Sequence, residues 1–574
     1  MGSNSNQYDF IIVGAGPAGC TLVSSLSKAK SKPRVLLLEA GGKNDAKSLR
    51  VDGQRWSTQF VEQMNWGYKT VPQRHCHNRE LPFSRGKGLG GSSAINFESW
   101  AYGARDDYDK WAEEVGDDAF GWERIQQRLK ALECLDKGSC AVRDKDGTVY
   151  AESKPTNHGF NGPLRVGFAP EWEADLPLVL DIFEQAGFER NLDVNDGNPL
   201  GMSLLVNSSS LGLRSTAADL LINAPDNLLI VTNQPVQRVI FDGNRAAGVE
   251  SKESQFVTDF AEKEVILCAG TVETPKILML SGIGPASELQ RFQIPIVSPI
   301  SAVGQNLIDH FIAPLILRRN PQTNDRNSFF RDQKAMDDAM KQWEKDGSGP
   351  WARYSCQNAA GWFKSDPISS SEEFQLLPES VQEFLNRPTI PHYELISHFP
   401  IHFVFPGLFG DDYSYLAFAM VVMNQQSSGE LRLQSADPEE PLLIDPNFLD
   451  HPYDRRCCIE IFRHMSAVID HPSFAKDTTG VILGPQSGSD EDILEYWRQT
   501  GSPVFHAVGT VKMGKAGEPD AAVDSRFRVF GVEGLRVADL SIVPLVPNNH
   551  TQTTAYVTGA TCAEVLLRDY NMDE

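Results

Sequence analysis

The stretch Tyr8-Asp-Phe-Ile-Ile-Val-Gly-Ala-Gly-Pro-Ala-Gly-Cys20 sets the reading of the whole chain. Phe10 to Val13 form a short apolar run of the kind a strand buried on both faces requires. Gly14, Gly16 and Gly19 follow at G-x-G-x-x-G spacing. In that pattern the first glycine permits a tight turn, the second lets a pyrophosphate approach the backbone, and the third lets helix and strand pack closely. The helix that opens around Ala18 presents its positive N-terminus to phosphate. Arg34 to Leu38 is the next strand, followed by Glu39 and Ala40, with the acid twenty residues after Gly19. An acid there accepts hydrogen bonds from a ribose diol. Strand, turn, helix, strand and acid together predict a dinucleotide site. FAD and NAD share the fingerprint, which does not separate them.

A second glycine-rich segment, Arg85-Gly-Lys-Gly-Leu-Gly-Gly-Ser-Ser-Ala-Ile-Asn96, carries four glycines within its first seven residues. Its backbone entropy is too high for a self-supporting element, so it makes sense lying against a ligand. Gly88, Gly91, Ser92 and Asn96 are its candidate contacts. Asp106 to Cys134 reads as helix, and 135 to 165 as loop. Asn227–Val231, Gln237–Phe241 and Val265–Cys268 read as strands. Ala269-Gly-Thr-Val-Glu-Thr-Pro275 reads as a turn and helix start with Pro275 at the first helical position. Residues from about 310 to 500 carry aromatic strands, such as Tyr413–Val422, and acidic helical segments. The predicted fold is therefore α/β joined to α+β. A Rossmann-like domain is built from 1–160, 226–310 and 501–574, and a discontinuous substrate domain from 161–225 and 311–500 rests on a mostly antiparallel sheet.

The formal charge of −23 over 574 residues argues against nucleic acid and anionic membrane surfaces as partners. Nine cysteines, without a C-x-x-C pair, read as buried thiols in a reducing compartment, with no metal site. The polar N-terminus and the lack of a membrane-length apolar run make a cytoplasmic location the expectation. Asn207-Ser-Ser and Asn549-His-Thr match the glycosylation sequon, a short pattern that arises by chance.

The last seventy or so residues carry two histidines in apolar surroundings, His506 in Pro503-Val-Phe-His-Ala-Val-Gly and His550 in Pro547-Asn-Asn-His-Thr-Gln. No metal spacing joins them. An imidazole transfers protons near neutral pH without perturbation, which suits a general base. Asp539 ends a strand ahead of a helix, where a cofactor hydroxyl could bind.

These motifs, in this order, resemble the glucose–methanol–choline (GMC) oxidoreductases. Leu37-Leu-Glu-Ala-Gly, Ala269-Gly-Thr-Val-Glu-Thr-Pro, Val303-Gly-Gln-Asn-Leu-Ile-Asp-His310 and the C-terminal block extend the likeness over nearly the whole chain. Asn549-His-Thr-Gln is similar to aryl-alcohol-oxidase-like members. The resemblance implies a Rossmann-like FAD-binding domain and oxidation of a small-molecule alcohol to an aldehyde or ketone, with oxygen or another electron acceptor. It assigns the ribose to Glu39, the adenine to Val236, and the pyrophosphate and isoalloxazine to the loop from Gly88 to Asn96. Asp539 would lie near the ribityl chain, and His550 with Thr551 at the pyrimidine edge. His506 matches the catalytic base and His550 its partner. Asn96 stands where some relatives tether FAD through histidine, so non-covalent FAD is expected. Phe97, Trp100, Phe403 and Phe405 are candidate cavity residues. Other readings within the fold are a flavin-scaffolded lyase or cyclase, and a flavin-binding protein without activity.

Overall fold

The computed structural model describes residues 7–144, 146–252, 259–400, 402, 405, 407–410 and 412–573. The expected lining residue Phe403 falls outside them.

A seven-stranded sheet carries the N-terminal motif. Its strands are β1 (Gln7–Val13), β2 (Val35–Leu38), β3 (Leu228–Val231), β4 (Val236–Asp242), β5 (Arg245–Ser251), β6 (Asp259–Leu267) and, late in the chain, Leu535–Val537. The order is β3-β2-β1-β6-β5-β4, with Leu535–Val537 alongside the second half of β6. Pairing is parallel across β3, β2, β1, β6 and Leu535–Val537, and antiparallel in the β4–β5 hairpin and where it joins β6. Parallel strands covered on both faces need apolar side chains throughout. Phe10 to Val13 and Val35 to Leu38 supply them and are all buried. Helix α1 (Pro17–Leu26) follows β1 directly and packs along the C-terminal helix Gln552–Asp569. Gly559 makes that approach possible, since a Cβ there would lie 2.1 Å from the Ala18 carbonyl oxygen.

The second sheet is antiparallel, with six strands. Ala359–Phe363, Tyr393–Ser397, Ser414–Val422, Phe311–Arg319 and Thr478–Leu483 lie in that order, and Ser502–Pro503 pairs with the start of Phe311–Arg319. Its core is separate from that of the first sheet. The segment 161–225 divides between the two. Leu164, Val166 and Leu220 join the first core, while helix Leu176–Gln185 and strand Gly201–Leu204 pack into the second.

Three local expectations change. Asp106 to Cys134 is two helices, Arg105–Val115 and Trp122–Leu132, because Gly116 closes the first in the left-handed region at φ 71°. The Asp109 carboxylate then accepts the Trp122 N–H at 3.0 Å, opening the second. Residues 135–165 are not all loop, and contain the short strands Val142–Arg143 and Val149–Ala151. Helix α2 (Gly270–Leu280) starts five residues before Pro275 instead of at it. The Asp539 carboxylate caps its first N–H, that of Gly270, at 2.8 Å. The carbonyl of Thr271, which an N–H at position 275 would have served, accepts the Thr510 hydroxyl at 2.7 Å instead. An outside donor thus offsets the proline's missing one.

Candidate active site

One cavity of about 500 Å³ runs from the glycine turn, across the ends of the parallel strands, to the antiparallel sheet. At the turn the three glycines do three different things. Gly14 sits at φ +102°, and a Cβ there would meet the Cys268 carbonyl oxygen at 2.4 Å. At Gly19 a Cβ would lie 2.0 Å from the Gly14 oxygen. Among the described residues nothing lies within 4 Å of the same point at Gly16, which borders the cavity, as does Ala18. No side chain among the described residues caps α1, and its first turn holds no acid. Its N-terminal dipole is therefore free to meet a ligand anion.

The second glycine loop docks on this turn. Gly90 N–H donates to the Ala15 oxygen at 2.9 Å, and a Cβ on Gly91 would approach Gly16 Cα to 2.6 Å. Glu39 ties the two together by accepting N–H groups from Ala15, Gly41 and Gly88, each at 2.8 Å. Gly91, Ser92, Asn96, Ala40 and Val236 border the cavity with Glu39. Gly19 and Gly88 do not; the first serves helix–strand packing and the second the Glu39 bond. Asp539 also borders the cavity, with its carboxylate already accepting from Gly270, Thr274 and Ser541. Burial raises its pKa above the ordinary carboxylate value.

At the other end the rings of His506 and His550 stand 5.0 Å apart, centroid to centroid, at 76°. Both border the cavity. His506 lies on a segment laced to residues 308–310. Val504 N–H donates to the His310 oxygen at 3.1 Å, His506 N–H to Asp309 Oδ1 at 2.7 Å, and Val508 N–H to the Ile308 oxygen at 3.0 Å. Phe505, just before it, is held at φ 66°, and its carbonyl accepts from Arg85 at 3.0 Å. That conformation costs a non-glycine residue about 1–2 kcal/mol, which the lacing offsets. His506 Nδ1 is 3.0 Å from His310 Nδ1, leaving Nε2 for the cavity.

His550 is placed by its neighbours in sequence. Asn548 is bonded to Asp107 and Asn424, and Asn549 to Tyr102, Tyr108, Thr553 and Thr554. Both asparagines are fully buried, so Asn549 is no accessible glycosylation site, and neither is Asn207. His550 Nε2 lies 2.8 Å from Glu394 Oε1, which leaves Nδ1 for the cavity. Thr551 borders the cavity and precedes the C-terminal helix, whose N-terminus points its dipole there.

The electrostatics differ from the sequence expectation of an ordinary imidazole. Burial, reinforced by His550, His310 and Arg85, holds His506 well below its usual value. The same burial takes His310 down to about 3 and pushes Asp309 up to about 7. His506 is therefore neutral at pH 7, with a lone pair to offer.

Phe97 and Phe405 line the cavity, with Phe97 against Trp56 at 4.3 Å. Trp100 does not. It belongs to the first core and donates its indole N–H to Glu133 at 3.1 Å. Sequence reasoning missed two residues. Glu394 is a lone acid inside the apolar strand Tyr393–Ser397, and that isolation was the available signal. His310 stood in a quoted motif but had no stated role. All nine cysteines are unpaired, and no metal-holding group of His, Cys, Asp and Glu occurs among the described residues. Nor is any described helix long and apolar enough to cross a membrane.

Comparison with known proteins adds a family. The GMC oxidoreductase models match residues 8–312 and 425–559. An alcohol dehydrogenase (acceptor) of Pseudomonas putida is 30% identical over 580 residues, spanning 99% of this chain and 97% of that protein. A patulin synthase of Aspergillus clavatus is 28% identical, over 97% of this chain and 91% of its own length. Among solved structures, Aspergillus oryzae formate oxidase, studied for its FAD modification, superposes with a TM-score of 0.88 at 26% identity, each chain covered fully. A fungal aryl-alcohol oxidase shares the fold at TM-score 0.83 and 22% identity.

Proposed function

The chain belongs to the GMC oxidoreductase family, and from that premise we propose that it binds FAD without a covalent link and oxidises an alcohol to an aldehyde or ketone. The observation that carries this reading is the pair of imidazoles, 5.0 Å apart, at the far end of a cavity that begins on the glycine turn.

The residues present fit the cofactor. Gly16 leaves open space at the bare N-terminus of α1 for a pyrophosphate. Glu39 and Val236 border the cavity where ribose and adenine would lie, and Asp539 where the ribityl chain would. The Rossmann-like unit would comprise 1–160, 226–310 and 501–574. Asn96 offers an amide, which is no nucleophile, at the position where a tether would form. When bound, FAD supplies the two-electron acceptor that takes the hydride at N5.

The chain's own residues divide the remaining work. His506 Nε2 takes the hydroxyl proton, a role worth about 10²- to 10⁴-fold in rate. His550, anchored by Glu394, holds the second imidazole beside the substrate oxygen. Trp56, Phe97 and Phe399 keep the site apolar, which strengthens each polar contact. Oxygen or another electron acceptor would be the second substrate.

A panel of benzylic, alkyl and sugar alcohols mixed anaerobically with the yellow holoenzyme tests this reading. Bleaching by at least one class, with a carbonyl product, is expected. A flavin that stays oxidised with every alcohol removes the proposal.

A further inference from the structure

We propose that His310 is a positioning residue for the base. It accepts the Nδ1–H of His506 and so holds His506 in the tautomer whose Nε2 lone pair faces the cavity. The inference rests on the reading of His506 as the proton acceptor.

The geometry leaves few options. Two imidazole nitrogens 3.0 Å apart share one proton between them. If His310 donated it, neutral His506 would carry its own proton on Nε2 and have no lone pair for the substrate. With His310 as the acceptor, His506 keeps its proton on Nδ1, and its bare Nε2 can take the hydroxyl proton. The two residues face each other across paired segments, fixed by the bonds from Val504 N–H to the His310 oxygen and from His506 N–H to Asp309 Oδ1. Their rings meet edge to face, 5.2 Å between centroids at 83°.

The titratable and charged groups that face the pair are Asp309, Arg85 and His550. His310 is fully buried, and its Nε2 has no partner among the described residues. An apolar side chain would fill that space without leaving a polar atom unpaired, so packing alone does not account for an imidazole there.

The proton count closes. The alcohol O–H bond breaks and an Nε2–H bond forms on His506. The Nδ1–H stays on His506, now in a charge-assisted bond to His310 Nδ1. His310 keeps its own proton on Nε2 and remains neutral throughout.

The test compares His310→Leu with His310→Asn, whose Oδ1 can accept where Nδ1 did. Both are assayed as flavin-loaded enzyme with the best alcohol of the panel. His310→Leu is expected to lower kcat/KM roughly 10- to 100-fold at unchanged flavin content, and His310→Asn by no more than about fivefold. In a His506→Ala background His310→Leu should cost nothing further. Nitrogen NMR of histidine-labelled wild-type protein should show His506 with a protonated Nδ1 and a bare Nε2, which decides the tautomer even if His310→Leu does not fold. Equal losses in Leu and Asn, additive losses with His506→Ala, or a protonated Nε2 in the neutral wild type would each overturn the proposal. Full activity of His506→Ala alone would instead remove the base reading, while the NMR result still reports on the tautomer.

Discussion

The two ends of the cavity are built from different materials. At the glycine turn backbone packs against backbone, tied by the Glu39 carboxylate, and Gly14, Gly19 and Gly91 are needed because no side chain fits. At the histidine end the contacts are side chain to side chain, with His310–His506 and His550–Glu394 held at 3.0 and 2.8 Å. The first end is a matter of shape and should fail all at once. The second is a matter of proton affinity and orientation, and should fail by degrees.

Gly19→Ala would break the comparison most severely. Its Cβ has 2.0 Å to the Gly14 oxygen, so the turn must open, and the purified protein should hold no flavin. Gly16→Ala sharpens the point, since nothing lies within 4 Å. Its melting temperature should stay near wild type while flavin affinity falls, measured by titrating FAD into apoprotein. Glu394→Gln comes next. It keeps a hydrogen-bond acceptor for His550 but removes the charge, and should lower kcat/KM by roughly tenfold with flavin retained.

The smallest effect is in pH. His506 sits well below its ordinary value because it is buried, so protonation of the base should cost no kcat/KM as pH falls from about 8 through about 6.5, and a change near about 7 reports Asp309 instead. An ordinary imidazole would already be half protonated at about 6.5. Stability carries the same sign from these histidines. The unfolded chain binds protons on His506 and His310 below about 6.5, whereas folded His310 does so only near about 3, so the fold loses stability as pH falls across that window. Asp309 acts oppositely. Raised to about 7, it contributes stability below the ordinary carboxylate value that is lost as pH rises through about 7.

The turn was legible in the sequence because its steric demands leave only glycine. Spacing alone named Gly14, Gly16 and Gly19, and the strand-ending acid named Glu39. The antiparallel sheet was visible as aromatic runs, though not its strand order, which depends on pairings between residues far apart in the chain. His506 and His550 drew notice as polar residues in apolar segments. Their closeness could not be read, since it depends on Asn548 and Asn549 folding one segment against Asp107 and Tyr108, and on residues 308–310 lacing the other. Glu394 and His310 meet those histidines only in the folded chain, so their proposed roles could not be read from the sequence. The Pro275 expectation failed because the capping acid, Asp539, arrives from 269 residues away.

The most direct test of the account is anaerobic single-turnover reduction of flavin-loaded His506→Ala by an alcohol that reduces the wild type. The account predicts full flavin occupancy and a reduction rate lower by about 10² or more. Reduction at close to the wild-type rate, with flavin equally bound, would contradict it.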